Sequence, residues 1–247
     1  MYKINLNCDL GEGAQYDEQI IPMINSANVA CGFHAGDASM MHKTIDLCIE
    51  SSTDVGAHPG YPDKENFGRT NLQVTPKQVY DFTVYQLGAI GAFASNITHV
   101  KPHGAMYNQA AKDRALADAI VDAIIDFNPN LILLALSGSQ MIESAKAKGL
   151  KYASEVFADR AYEADGTLRP RSLEGSMITD ESLAIERVVR MVTQGKVEAY
   201  DGSDIEIEAH SVCVHGDGEK ALLFVKKLNE AFEKNAITTV SIIEAIK

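Results

Sequence analysis

The chain has no tryptophan and only four cysteines in 247 residues: Cys8, Cys31, Cys48 and Cys213. They are too few and too scattered for a disulfide scaffold, and they lack paired metal spacing, so a reducing compartment suits them. Basic excess is also missing. Lys and Arg number 22 against 34 Asp and Glu, a net charge of −12, which argues against non-specific nucleic-acid binding. No apolar run approaches the ~18 residues of a membrane span. The opening MYKINLNCDLGEG has neither a basic n-region nor an apolar h-segment, so a cytoplasmic location is expected. GxGxxG, Walker GKS/T, GxSxG and CxxC are all absent, which removes the usual signatures of dinucleotide, phosphate-loop, serine-hydrolase and thiol-redox sites. Low-complexity tracts, like-charge blocks and fixed-period repeats are lacking too. Nothing divides the chain, and one domain over residues 1–247 is expected.

With 46% hydrophobic residues there is ample material for a core. A chain of this length hides roughly 72% of its extended surface on folding. Strand-like runs alternate with helix-like runs. The strand candidates are Lys3–Cys8, Ala27–Cys31, Thr53–Ala57, Ile97–Lys101, Leu131–Leu136, Tyr152–Phe157 and Ser211–Val214. Between them, Asp37 can cap a helix that places Met41, Ile45, Cys48 and Ile49 on one face. Thr75, Pro76 and Gln78 spell a capping box with proline at the first helical position. Ala184, Val188, Met191 and Val192 share a face of a later helix that stops at Gly195. Val197–Ala209 reads as a hairpin around Asp201-Gly202.

Repeated βα units imply a parallel sheet with right-handed crossovers. An open sheet gathers its site from two or three loops, whereas a barrel brings all its C-terminal loops to one mouth. Polar residues follow six of the seven strands: Asp9 and Glu12, His34 and Asp37, His58, Lys101 and His103, Asp159 and Arg160, His215 and Asp217. This distribution favours an α/β fold of the TIM-like (β/α) barrel type with seven strands.

Asp9 and Glu12, three residues apart, can serve as acid and base or cap the next turn. Cys8 reads as a buried strand residue and not a nucleophile. His34 lies between glycines, His58 beside Pro59 and Gly60, and His103 beside Pro102 and Gly104. One such histidine is ordinarily structural, but three at equivalent strand ends point to a site. Asp37 is most simply a helix cap. Arg69, after Phe67-Gly68, reads as a solvated arginine. Lys101 closes a buried strand and must meet an anion or lose its proton. The stretch after the sixth strand is too long for a tight connection, so it suits a lid or binding segment whose Arg160, Arg169 and Arg171 can clamp a carboxylate or phosphate. No HExxH occurs, and a charged Lys101 repels a cation, so no obligatory metal is expected.

In order, NCDLGE at 7–12, NVACGFHAGD at 28–37, GAHPGYPD at 56–63, VKPHGAMYN at 100–108, EVFADRAYEADG at 155–166 and CVHGDG at 213–218 resemble the LamB/YcsF family over nearly the whole chain. The resemblance implies a barrel similar to polysaccharide deacetylases. It also implies ATP-dependent opening of 5-oxoproline to L-glutamate with two partner subunits, of B and C types, and ATP, with Mg, as co-substrate. The missing phosphate loop suggests that the partners largely hold the nucleotide. Our own reading of the residues assigns catalysis to Asp9, Glu12, His58, Lys101 and His103. It assigns substrate binding to His34, Asp37, Glu155, Arg160, Arg171 and His215. Two other classes stay open, a metal-dependent deacylase and a non-catalytic substrate-binding subunit.

Overall fold

The computed structural model describes residues 2–214 and 219–247. The first strand, β1 (Tyr2–Leu10), sets the pattern. Its Ile4, Leu6, Cys8 and Leu10 are fully buried in the apolar layer, while Asn5, Asn7 and Asp9 alternate to the other face. Next come β2 (Ser26–Ala30), β3 (Asp54–His58), β4 (His99–Val100), β5 (Ile132–Leu136) and β6 (Lys151–Phe157). A short antiparallel hairpin, β7 (Lys196–Glu198) and β8 (Asp204–Glu206), precedes β9 (Ser211–Val214). Strands β1 to β6 and β9 pair in parallel in that order, and β9 returns to β1 from Asn5↔Ser211 to Cys8↔Val214. The seven-stranded sheet is therefore a closed barrel, as the distribution of polar loops implies. A last strand, β10 (Ile237–Thr239), adds to the start of β1.

The helices are α1 (Asp17–Ile20), α2 (Ala38–Glu50), α3 (Pro76–Gly91), α4 (Gly104–Ala110), α5 (Arg114–Phe127), α6 (Gln140–Lys148), α7 (Glu181–Gln194), α8 (Glu219–Lys234) and α9 (Ile242–Ala245). Asp37 caps α2 by accepting from the Met40 amide at 2.9 Å, and Thr75 with Gln78 forms the full capping box of α3. Helix α7 ends at Gly195, whose φ of 65° suits glycine.

Four strand ends at the mouth differ from the sequence reading, and β2 stops at Ala30, one residue before Cys31. Strand β1 runs on to Leu10 because Asp9 and Leu10 still pair with Asn28 and Val29, which places Asp9 on the strand itself. His58 is the last residue of β3. Strand β4 is only two residues long; Lys101 still donates to Ala57 O at 2.9 Å, but Pro102 has no N–H with which to continue.

The barrel interior is polar. Ser211 Oγ donates to Asn5 Oδ1 (2.7 Å), Asn7 Nδ2 to Ser211 Oγ (2.8 Å), Asn28 Nδ2 to Asn7 Oδ1 (2.8 Å) and His99 Nε2 to Asn28 Oδ1 (2.8 Å). Leaving any one partner unmade costs about 1–3 kcal/mol, more than a single neutral bond contributes. The ladder is therefore cooperative, and it rises towards Asp9, to which Asn28 Nδ2 also donates at 2.8 Å.

Candidate active site

Two close backbone approaches shape the mouth. Gly36 has φ 68°, and a Cβ there would lie 2.4 Å from Gly11 O, so the loops after β1 and β2 touch. Gly68 has φ 61°, and a Cβ would lie 2.7 Å from His34 Cβ. Glycine lets these loops crowd their side chains into a single cluster.

That cluster comprises Glu12, His34, His58 and His103. Glu12 Oε1 is 3.0 Å from His34 Nε2, 3.4 Å from His103 Nδ1 and 3.8 Å from His58 Nε2. His34 and His103 stack with ring centroids 3.8 Å apart. Backbone carbonyls fix two of the rings. His58 Nδ1 donates to Lys101 O (2.7 Å) and His103 Nε2 donates to Phe67 O (2.9 Å). The other nitrogens, His58 Nε2 and His103 Nδ1, then face each other at 2.9 Å. Burial, with His58 next, pushes His34 down to about 2, and burial with both neighbouring histidines holds His103 well below the usual histidine value. His58 differs. Burial opposes its charge, but Asp9 and Glu12 outweigh burial and raise it. Charged His58 can thus donate to neutral His103 across the gap.

Lys101 lies behind this cluster and is almost wholly buried. It meets anions, one of the two outcomes its burial requires. Its Nζ donates to Asp9 Oδ1 (2.8 Å), Asn7 Oδ1 (3.3 Å) and Cys213 Sγ (3.1 Å), and pairs with Glu155 Oε1 at 2.9 Å. An ammonium has three hydrogens, and these partners take them all. Burial opposes the charge, but Asp9, Cys213 and Glu155 outweigh it and hold the lysine well above its ordinary value. Asp9 Oδ2 is 3.4 Å from His58 Nε2, so this carboxylate joins the two groups.

A cavity of about 650 Å³ opens over them, lined by Asp9, Glu12, His58, Lys101 and His103. All five side chains assigned to catalysis therefore converge. Arg69, Arg160 and Arg171 also line it. The substrate-binding assignments fare unevenly. Arg171 lines the cavity from the long loop, and His34 sits in the histidine cluster. Arg160 lines it too, yet its buried guanidinium donates to Ser176 O and Arg169 O, tying its own loop together. Glu155 is fully buried behind Lys101 and accepts from Tyr107 Oη at 2.8 Å, so it supports the site from beneath. Asp37 is an exposed helix cap away from the cavity. His215 and Asp217 lie outside the described residues.

Sequence reasoning passes over Asn7, Asn28 and His99, the ladder that seats Asp9 and Lys101. Their signal is a polar residue at alternate positions of an otherwise apolar strand, as in Asn5, Asn7 and Asp9. It also undervalues Arg69, which is not simply solvated. This arginine stacks on Phe67, its Cζ 4.9 Å from the ring centroid, and no carboxylate pairs with it among the described residues.

The family model described as LamB/YcsF family matches residues 4–247. The chain is 50% identical over 246 residues to the A-type 5-oxoprolinase subunit of Oceanobacillus iheyensis, covering 96% of both chains. It is 40% identical to the lactam utilization protein from Thermus thermophilus, with a TM-score of 0.89 over 97% of this chain and 99% of that one. A family 4 carbohydrate esterase from Streptomyces lividans shares the fold alone, at 8% identity and a TM-score of 0.54 over 96% of this chain and 91% of that one. No helix among the described residues is long and apolar enough to cross a membrane.

Proposed function

The chain belongs to the LamB/YcsF family, and from that premise we propose that it is the A-type component of a 5-oxoprolinase. It opens 5-oxoproline to L-glutamate by lactam hydrolysis coupled to ATP hydrolysis. Partner subunits of B and C types hold most of the nucleotide, with Mg, because this chain has no phosphate loop. Four unpaired, buried cysteines support a cytoplasmic setting.

One observation carries the reading. Asp9 is held by Lys101 and Asn28 through Oδ1, while Oδ2 lies 3.4 Å from His58 Nε2 on the wall of the cavity. Opening a lactam needs a base for water, a proton for the leaving nitrogen and a cation for the substrate carboxylate. Asp9 takes the proton of the attacking water. The His58–His103 pair returns a proton to the ring nitrogen as the C–N bond breaks. Lys101 acts as a positioning residue that holds Asp9 in this orientation. Arg69 and Arg171 receive the carboxylate, or the phosphate when ATP activates the lactam oxygen. The cavity is larger than a five-membered lactam needs, which leaves room for such a phosphorylated species.

ATP-dependent glutamate release, measured with the chain alone and with both partners, tests the proposal. Release is expected only with the partners. Asp9→Asn is expected to slow the complex by about 10²–10⁴-fold, the usual range for a general base. Full ATP-coupled turnover by the chain alone would refute the division of labour. Unchanged turnover by a folded Asp9→Asn complex would favour a non-catalytic binding role.

A further inference from the structure

We propose that Glu12, His34, His58 and His103 form a binding site for one divalent transition-metal cation of the zinc class. The four donor atoms lie within 4.8 Å of one another. Spacing in the sequence gives no hint of this, because the ligands arrive from four separate strand ends. The decisive feature lies behind the first ring of donors. Each of His58 and His103 donates its outer N–H to a main-chain carbonyl, Lys101 O at 2.7 Å and Phe67 O at 2.9 Å. Metal-ligating histidines are held in this way, with tautomer and ring orientation fixed from outside. The arrangement directs two imidazole nitrogens at each other across 2.9 Å. These facing nitrogens need an electrophile: the proton they share in the metal-free chain, or a metal ion that displaces it.

Glu12 adds an anionic oxygen 3.4 Å from His103 Nδ1 and 3.8 Å from His58 Nε2. His34 Nε2, 3.0 Å from Glu12, supplies a third imidazole once its single hydrogen moves to Nδ1, a buried atom with no hydrogen-bond partner among the described residues. Metal–nitrogen bonds of about 2.0–2.1 Å place neighbouring donors about 2.9–3.4 Å apart, so small shifts seat an ion. Three nitrogens and one carboxylate suit zinc, cobalt or nickel better than the all-oxygen preference of magnesium. Lys101 does not oppose the ion as its charge alone suggests. Asp9 and Glu155 flank its ammonium at 2.8 and 2.9 Å. Its charge is thus met by these two carboxylates, and Glu12 brings a further negative charge to the donor set itself.

The test needs no turnover, so it stands apart from the proposed reaction. The purified chain is stripped with a chelator, incubated with Zn²⁺ or Co²⁺, gel-filtered and analysed for metal. Expected are about one retained ion per chain, a raised thermal midpoint with Zn²⁺, and visible absorption from bound Co²⁺. Glu12→Gln and His103→Gln should weaken binding at least tenfold, while Asp37→Ala, on the α2 cap, should bind like the parent. If a variant fails to fold, the parent's stoichiometry and cobalt spectrum decide. A parent that retains no ion and shows no thermal shift overturns the proposal, as does an ion retained equally by the folded ligand variants. A chain that binds the ion but opens no lactam with its partners keeps this site and loses the proposed reaction.

Discussion

Gly56 leaves the room that His99 occupies: a Cβ at Gly56 would lie 2.1 Å from His99 Nε2, the atom that bonds Asn28. The two residues are paired across β3 and β4, so neither strand can move away without breaking its ladder. Gly56→Ala is therefore expected to destabilise by at least about 1–3 kcal/mol, the usual cost of overpacking. Gly88, exposed on α3 with nothing within 4 Å of a built Cβ, is the control. Gly88→Ala should stabilise by roughly 0.5–1 kcal/mol through its helix preference. Denaturant unfolding of both variants measures the contrast, and equal effects would refute the steric argument.

Lys101 is the single ammonium shared by Asp9 and Glu155 at the base of the mouth. Lys101→Met leaves both carboxylates without it, and breaking a buried pair in this way costs about 3–5 kcal/mol. Adding Glu155→Gln to Lys101→Met should recover part of the loss, because it removes one of the stranded charges. Denaturant midpoints of parent, single and double variants test this. A single variant as stable as the parent would show that the ammonium is dispensable to the fold.

The barrel is legible in the sequence because its signal is repeated. Asp9, His34, His58 and Lys101 each mark a strand end, and only a closed sheet brings so many strand ends together. The support beneath them is not legible. Asn7, Asn28 and His99 look like isolated polar residues until β1, β2, β3 and β4 are laid side by side, and register is a long-range property. Glu155 shows the same limit from the other direction. Its place near the end of a strand suggests substrate, but its strand parity turns it inward to Lys101 and Tyr107. Asp37 caps α2 and does not line the cavity, a placement its sequence leaves open, because capping and binding carboxylates look alike until the fold places them.

Acid should destabilise the fold before its carboxylates titrate. Burial pushes His99 down to about 3 and His34 down to about 2, and holds His103 well below the usual value. An unfolded chain takes up protons at these residues near pH 6.5, whereas the folded chain does not. Stability therefore falls as the pH drops below about 6.5 and continues to fall towards pH 3. His58 acts in the opposite sense, because its raised value contributes stability below pH 6.5 that is lost as the pH rises through it. With His210, also lowered by burial, four depressed histidines oppose one raised one, so the net slope is positive. Urea midpoints from pH 4 to 7 should rise with pH in the parent and less steeply in His99→Gln. A flat profile in the parent would contradict the burial of neutral histidines.

Arg69 offers a separate test of how the cavity holds a small acid. Its guanidinium stacks on Phe67 at 4.9 Å, lines the same cavity as His103, and has no carboxylate partner among the described residues. A planar cation fixed on a ring is well placed for two parallel bonds to a carboxylate. The substrate carboxylate does not change charge as the lactam opens, so this contact is equal in ground and transition states. Its loss should raise KM and leave kcat nearly unchanged. A charged hydrogen bond contributes about 1.5–3 kcal/mol, which corresponds to roughly a 10–100-fold increase in KM for Arg69→Gln in the assembled complex. Arg69→Lys should recover only part of the affinity, because a point charge cannot supply both bonds. The steady-state kinetics of the three proteins separate the possibilities: a fall in kcat at constant KM would place Arg69 against the reacting atoms, and unchanged constants would remove it from the substrate altogether.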